Sequence, residues 1–149
     1  MMLLTRNFLI FFLFIFLTLF VELKSNNVSD LSIKTCEKKN DTYKFPINDL
    51  AIPPKTCFYL NKTIFIGAYE NWFGEIYFSS KLDLNSLYNS FKKLMPHKGW
   101  ILVIEQRMGS EEAKEALFIY EKNNRTATIT LKEKDNMSEF IVRVSPSEQ

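Results

Sequence analysis

The chain has 149 residues and a formal net charge of +2, with 19 Lys and Arg against 17 Asp and Glu. So balanced a chain lacks the concentrated basic face that nucleic acid requires, and four glycines leave no Gly-rich phosphate cradle. Hydrophobic residues at 46% and charged residues at 24% fit one ordinary globular domain.

Phe8 to Val21 is apolar apart from Thr18, with Arg6 before it and Glu22 and Lys24 after it. A basic residue, an apolar run and then polar chain is the layout of an export signal. As a helix the run is ~21 Å long, short of a hydrocarbon core of roughly 30 Å. Met1–Leu4 and snorkelling flanks lengthen its reach. The cleavage tripeptide Leu23-Lys24-Ser25 is poor because Leu23 is not small. Residues 1–25 thus read as an N-terminal apolar helix, either a signal peptide or a single-pass signal anchor. Arg6 on its N-terminal side sends the remaining chain across the membrane. The expected location is membrane-anchored facing the periplasm, or periplasmic or secreted if the signal is cleaved. The membrane is the partner of this segment.

Residues 26–61 are polar, contain Pro46, Pro53 and Pro54, and have no sustained period. They read as an irregular lead-in or linker. They hold the two cysteines, Cys36 and Cys57, and an even pair in an exported chain reads as a disulfide. It closes a loop of about 20 residues, worth roughly 3 kcal/mol in the chain-entropy model. The alternatives are two free thiols or a metal or redox pair. Zinc takes four ligands and His97 is the only histidine, and the pair lacks the Cys-x-x-Cys spacing. Nothing in the chain calls for a cofactor or a bound metal.

Residues 62–149 carry the regular periods. Thr63 to Tyr69 is β-branched and aromatic, hence a strand, and Trp72 to Ser79 follows as a second. Between Leu82 and Met95 the period changes. Leu84, Leu87, Tyr88, Phe91, Leu94 and Met95 form one stripe of an amphipathic helix, with Asp83 as N-cap. Pro96 stops the helix and Gly99 frees the turn into a strand from Trp100 to Arg107. A strand through Leu117 and Lys122 meets Arg125 to Lys132 across Asn123-Asn124, a pair suited to a tight hairpin. Phe140, Val142 and Val144 alternate in a last strand. The expected fold is α+β: an antiparallel sheet in the order β-β-α-β-β-β-β, with one amphipathic helix on one face and a wetter, Thr-rich opposite face.

The stretch from Leu87 through Met95-Pro96-His97-Lys98-Gly99-Trp100, followed by Glu121-Lys122-Asn123-Asn124-Arg125, resembles a group of small exported bacterial domains. That lipoprotein-like group pairs a helix ending in Met-Pro-x-x-Gly-Trp with a Glu-Lys-x-x-Arg hairpin. The likeness runs from about Gly74 to Val144. It carries no assigned activity, so no site residue transfers. This chain departs from the group in lacking a lipidation cysteine after the apolar run.

Few residues point to chemistry. His97 lies in a polar corner without a positioned partner for base catalysis. No Gly-x-Ser-x-Gly elbow or His-Glu-x-x-His occurs, so no catalytic residue is assigned. Glu111-Glu112 falls in a polar connection where carboxylates are solvated. Trp72 and Phe73, flanked by Glu70 and Glu75, read either as core or as an exposed aromatic tip for a partner. Arg125 and Glu121 read as a cross-strand pair on the tight hairpin. The function these features favour is a non-enzymatic envelope module for protein interaction or assembly, using the wet sheet face or an edge strand. The alternative is a small ligand-binding or hydrolase-like periplasmic domain, with a pocket near His97, Glu75 or Glu105 between helix and sheet.

Overall fold

A computed structural model describes residues 31–36, 42–109, 114–134 and 137–147. The apolar segment within residues 1–25 and the acidic pair Glu111-Glu112 lie outside the described residues. No helix among the described residues is long and apolar enough to cross a membrane.

Among the described residues, nine strands and one helix follow in chain order: β1 (Leu31–Thr35), β2 (Thr42–Phe45), β3 (Thr56–Phe58), β4 (Ile64–Ala68), β5 (Asn71–Ser80), α1 (Leu84–His97), β6 (Ile101–Met108), β7 (Glu115–Lys122), β8 (Arg125–Lys134) and β9 (Met137–Pro146). A 3-10 turn at Leu60–Lys62 joins β3 to β4. The strands form a single sheet in the order β2-β1-β3-β5-β9-β8-β7-β6, with β4 added onto β5.

This corrects the expected fold, a six-stranded antiparallel sheet. The sheet is mixed, because β1 runs parallel to β3 with Lys34 opposite Cys57 and Thr35 opposite Phe58. The three additional strands come from the lead-in that reads as irregular. They are three to five residues long and lie among prolines. Strands so short carry no period, and sheet pairing rather than local propensity orders them.

The rest forms for legible reasons. Asp83 caps α1 by accepting from the Ser86 N–H at 2.8 Å, and the Ser86 hydroxyl adds a bond at 2.7 Å. The Asp83 carboxyl is held below its ordinary range, chiefly by these bonds. Leu84, Leu87, Tyr88, Phe91 and Met95 are buried, and Leu94 is partly so. Pro96 does not stop the helix at once: the helix runs one residue further, to His97. Gly99 then turns the chain at φ +82°. Asn123 and Asn124 both adopt positive φ, the geometry of a tight two-residue hairpin.

The helix packs on one face only. Phe91 meets Phe140 edge-on at 5.1 Å, Tyr88 lies 4.7 Å from Phe118, and Phe78 stacks on Phe140 at 4.7 Å. Ala127, Ile129 and Leu131 of β8 complete this core, as their alternation requires.

Candidate functional site: a buried carboxylate and an open sheet face

Two features stand apart from ordinary core packing. The first is Asp49, in the segment after β2 and only 2% exposed. Ile47, Leu50 and Ala51 around it are buried, and Ile47 bridges to Tyr69, so this piece of the lead-in is tucked into the body. The Asp49 carboxylate accepts from Trp72 Nε1 at 2.9 Å on one oxygen and from Arg125 Nη2 at 2.6 Å on the other. Lys122 Nζ lies 3.7 Å from the second oxygen and 3.6 Å from Glu70. Trp100 Nε1 donates to the Asp49 backbone oxygen at 2.7 Å. The Arg125 guanidinium also sits 5.1 Å from the centre of the Trp100 ring.

Backbone bonds extend the cluster outward. Lys98 Nζ donates to the Asn48 oxygen at 2.9 Å, and Lys122 Nζ donates to the Lys98 oxygen at 2.8 Å. One acid of the lead-in thus collects Trp72 from β5, Trp100 from the helix–strand corner, and Lys122 and Arg125 from the hairpin. The last three belong to the Met-Pro-x-x-Gly-Trp and Glu-Lys-x-x-Arg motifs. With both oxygens taken and the side chain sealed from solvent, this carboxylate is a structural latch that no reacting group can approach.

Several sequence expectations change here. Arg125 does not pair with Glu121. In the β7–β8 register Glu121 faces Thr126 while Arg125 faces Lys122, so Arg125 points to the core side with Ala127 and Ile129. The signal was present in β8, since an arginine on the apolar side of an alternating strand requires a buried acid. Trp72 is fully buried and bonded to Asp49, so it offers no ring to a partner, and Phe73 is half-buried against the core. His97 is exposed at the end of α1. Glu75 accepts from Arg143 at 3.0 Å and from the Tyr77 hydroxyl at 3.2 Å, which raises the Tyr77 pKa. Glu105 pairs with Lys92 at 2.9 Å on the surface. These three expected pocket residues are not brought together. Phe91, Phe118 and Phe140 fill the space between helix and sheet.

Cys36 and Cys57 are joined in a disulfide, as the even pair implies, with Cα atoms 5.2 Å apart. The bridge fixes the end of β1 to β3, beside a cleft of about 620 Å³ walled by Lys34, Lys55 and Lys81. Among the described residues, no group of His, Cys, Asp or Glu is arranged to hold a metal ion.

The second feature is the sheet face opposite α1, which no second layer covers among the described residues. Across four strands Tyr77, Ile141, Thr130 and Leu117 form one row. The next row runs Ile64, Glu75, Arg143, Thr128, Ile119 and Ile104 across six strands. Ile64 and Ile66 are 77% and 71% exposed at one end, and Ile104 is 45% exposed at the other. A cleft of about 120 Å³ opens on this face beneath the 3-10 turn, lined by Tyr59, Tyr77, Thr130 and Ile141 among others.

No protein-family model, no curated protein and no solved structure matches the chain.

Proposed function

We propose that this protein is an exported, non-enzymatic interaction module of a bacterial envelope, held at or released from the membrane by its N-terminal segment. In this reading the open sheet face receives a protein partner. The observation that carries it is the uncovered face itself. Mixed and antiparallel sheets can leave one face wet, but that face is then polar. Here Leu117, Ile119 and Ile141 lie within it, and Ile64, Ile66 and Ile104 rim it. Apolar side chains gathered on one face, interleaved with Thr128, Thr130 and the Glu75–Arg143 pair, suit a protein contact. The latch supports the same reading, because it fixes the lead-in to the sheet and so keeps β1, β2 and β4 as a fixed border of that face. The likeness of the Met-Pro-x-x-Gly-Trp and Glu-Lys-x-x-Arg stretches to exported bacterial domains, together with the apolar run at Phe8–Val21, supplies the compartment.

The test is affinity capture of the full chain from detergent-solubilised envelopes, run beside Ile119→Lys and Ile141→Lys. One stoichiometric partner held by the wild type and lost by both variants supports the proposal. Capture that is unchanged by the two lysines, or no partner at all, contradicts it.

A further inference from the structure

We propose that β6 pairs edge to edge with β6 of a second copy, in one defined antiparallel register. The strand closes one end of the sheet, with β7 on one side and, among the described residues, no strand on the other. Seven of its eight residues are exposed, among them Ile101 at 70% and Val103 at 51%. Edge strands of soluble domains are normally blunted by charge or a bulge, and β6 carries both. The bulge at Val103 breaks the register between Leu102 and Ile104. Beyond it, Ile104 to Met108 is a regular stretch of ladder against β7.

The charges of that stretch do not protect it from a second copy. Glu105 and Arg107 face the helix side, opposite Phe118 and Ala116, whereas Ile104, Gln106 and Met108 face the open side. An antiparallel pair of identical edges is related by a two-fold axis perpendicular to the sheet, so each residue meets one of the same face. Three registers centre on an interior residue of the stretch and so keep its ladder paired on both sides of the axis. Centring on Glu105 sets two glutamates opposite each other, and centring on Arg107 sets two arginines opposite each other. Like charges directly opposite are destabilising. Centring on Gln106 instead places each Glu105 opposite an Arg107 of the other copy, and each Ile104 opposite a Met108. The sequence Ile-Glu-Gln-Arg-Met is therefore self-complementary about Gln106 in both its charged and its apolar pairs.

The helix side supports the same register. Arg107 lies over the Tyr88 ring at 3.8 Å and donates to the Asn85 side-chain oxygen at 3.0 Å. Its guanidinium is thus held at the edge with donors to spare. The pairing joins two sheets with both open faces on the same side, so the row through Ile119 and Ile104 continues into Met108 of the second copy. The inference does not depend on the partner proposed above, since it concerns the edge and not the face. Only a short strand is added, so the dimer is weak and concentration-dependent.

The test uses the full chain in a density-matched detergent, followed by sedimentation over a dilution series. Wild type is expected to dimerise reversibly. Glu105→Arg alone and Arg107→Glu alone each create two like-charge pairs and are expected to weaken dimerisation by about tenfold or more. A mixture of the two variants restores two opposite-charge pairs and is expected to form a heterodimer near wild-type affinity. Gln106→Cys, which needs no charge change, is expected to cross-link with its own copy under mild oxidation, because paired Cα atoms lie ~4.5–5.5 Å apart. A wild type that stays monomeric while Gln106→Cys fails to cross-link overturns the inference. So does a dimer indifferent to both charge reversals, or a mixture no tighter than its components.

Discussion

Asp49 and Arg125 meet at 2.6 Å with both side chains almost wholly buried, joining the lead-in to the start of β8 across 76 residues. A buried pair contributes little over an apolar replacement, but removing one partner strands the other charge away from water. Asp49→Ala is therefore expected to cost about 3–5 kcal/mol in a denaturant titration. Arg125→Met should cost a similar amount. The double variant Asp49→Ala with Arg125→Met should lose clearly less than the sum of its single changes, which a double-mutant cycle measures. Additive losses would mean that the two residues act separately.

Reduction of the Cys36–Cys57 bridge, or the double change to serine, should destabilise the fold by roughly 3 kcal/mol. The loss should be uneven. β1 and β3 share only a two-residue parallel register, whereas β8 and β9 pair along their whole length. Hydrogen exchange should therefore rise first in β1, β2 and β3, with β7, β8 and β9 protected as before. Uniform loss of protection would show that the lead-in and the main sheet unfold as one unit.

Tyr120 is fully buried on the helix side, and its hydroxyl has no hydrogen-bond partner among the described residues. Burial, with lesser contributions from Glu105 and Tyr88, holds its pKa well above the ordinary tyrosine value. The folded state therefore binds this proton more tightly than the unfolded chain does. The resulting stability is complete below ~10, the unfolded value, and is lost as pH rises beyond it. Tyr120→Phe removes an unsatisfied buried group, so it should leave stability at neutral pH unchanged or higher. It should also flatten the alkaline limb of a stability–pH curve. A marked loss at neutral pH would mean that the hydroxyl has a partner in solution.

Gly74 takes φ +141° where β5 pairs with β4 opposite Phe65, with the backbone of Ile64 and Phe65 in the place a side chain would occupy. Gly74→Ala is expected to cost about 1–3 kcal/mol and to loosen β4, which pairs only with β5. Increased exchange at Ile64–Ala68, with α1 unaffected, is the signature to seek.

The elements that repeat a period were legible in the sequence. The stripe from Leu84 to Met95, its Asp83 cap, the Asn123-Asn124 hairpin and the alternation of β8 each follow from spacing that one segment carries alone. The cysteine pair was legible by count. β1, β2 and β3 were not, because strands of three to five residues get their order from the neighbour they pair with and from the disulfide. The latch was half legible. Arg125 on an apolar alternation asks for an acid, but nothing local to Asp49, in a proline-flanked stretch without period, identifies it as that acid. The sequence read Trp72 as core with an exposed tip as the alternative, and could not name its partner for the same reason, since its indole is committed by a carboxylate 23 residues upstream.

The central claim, a partner seated on the open sheet face of an exported domain, is tested most directly by site-specific photo-crosslinking in living bacteria. A photoreactive residue is placed at Ile119, at Thr128 or, on the helix side, at Lys93. The account predicts one discrete adduct to another envelope protein from Ile119 and Thr128 and none from Lys93. Equal adducts from all three positions, or none from Ile119 and Thr128, would contradict it.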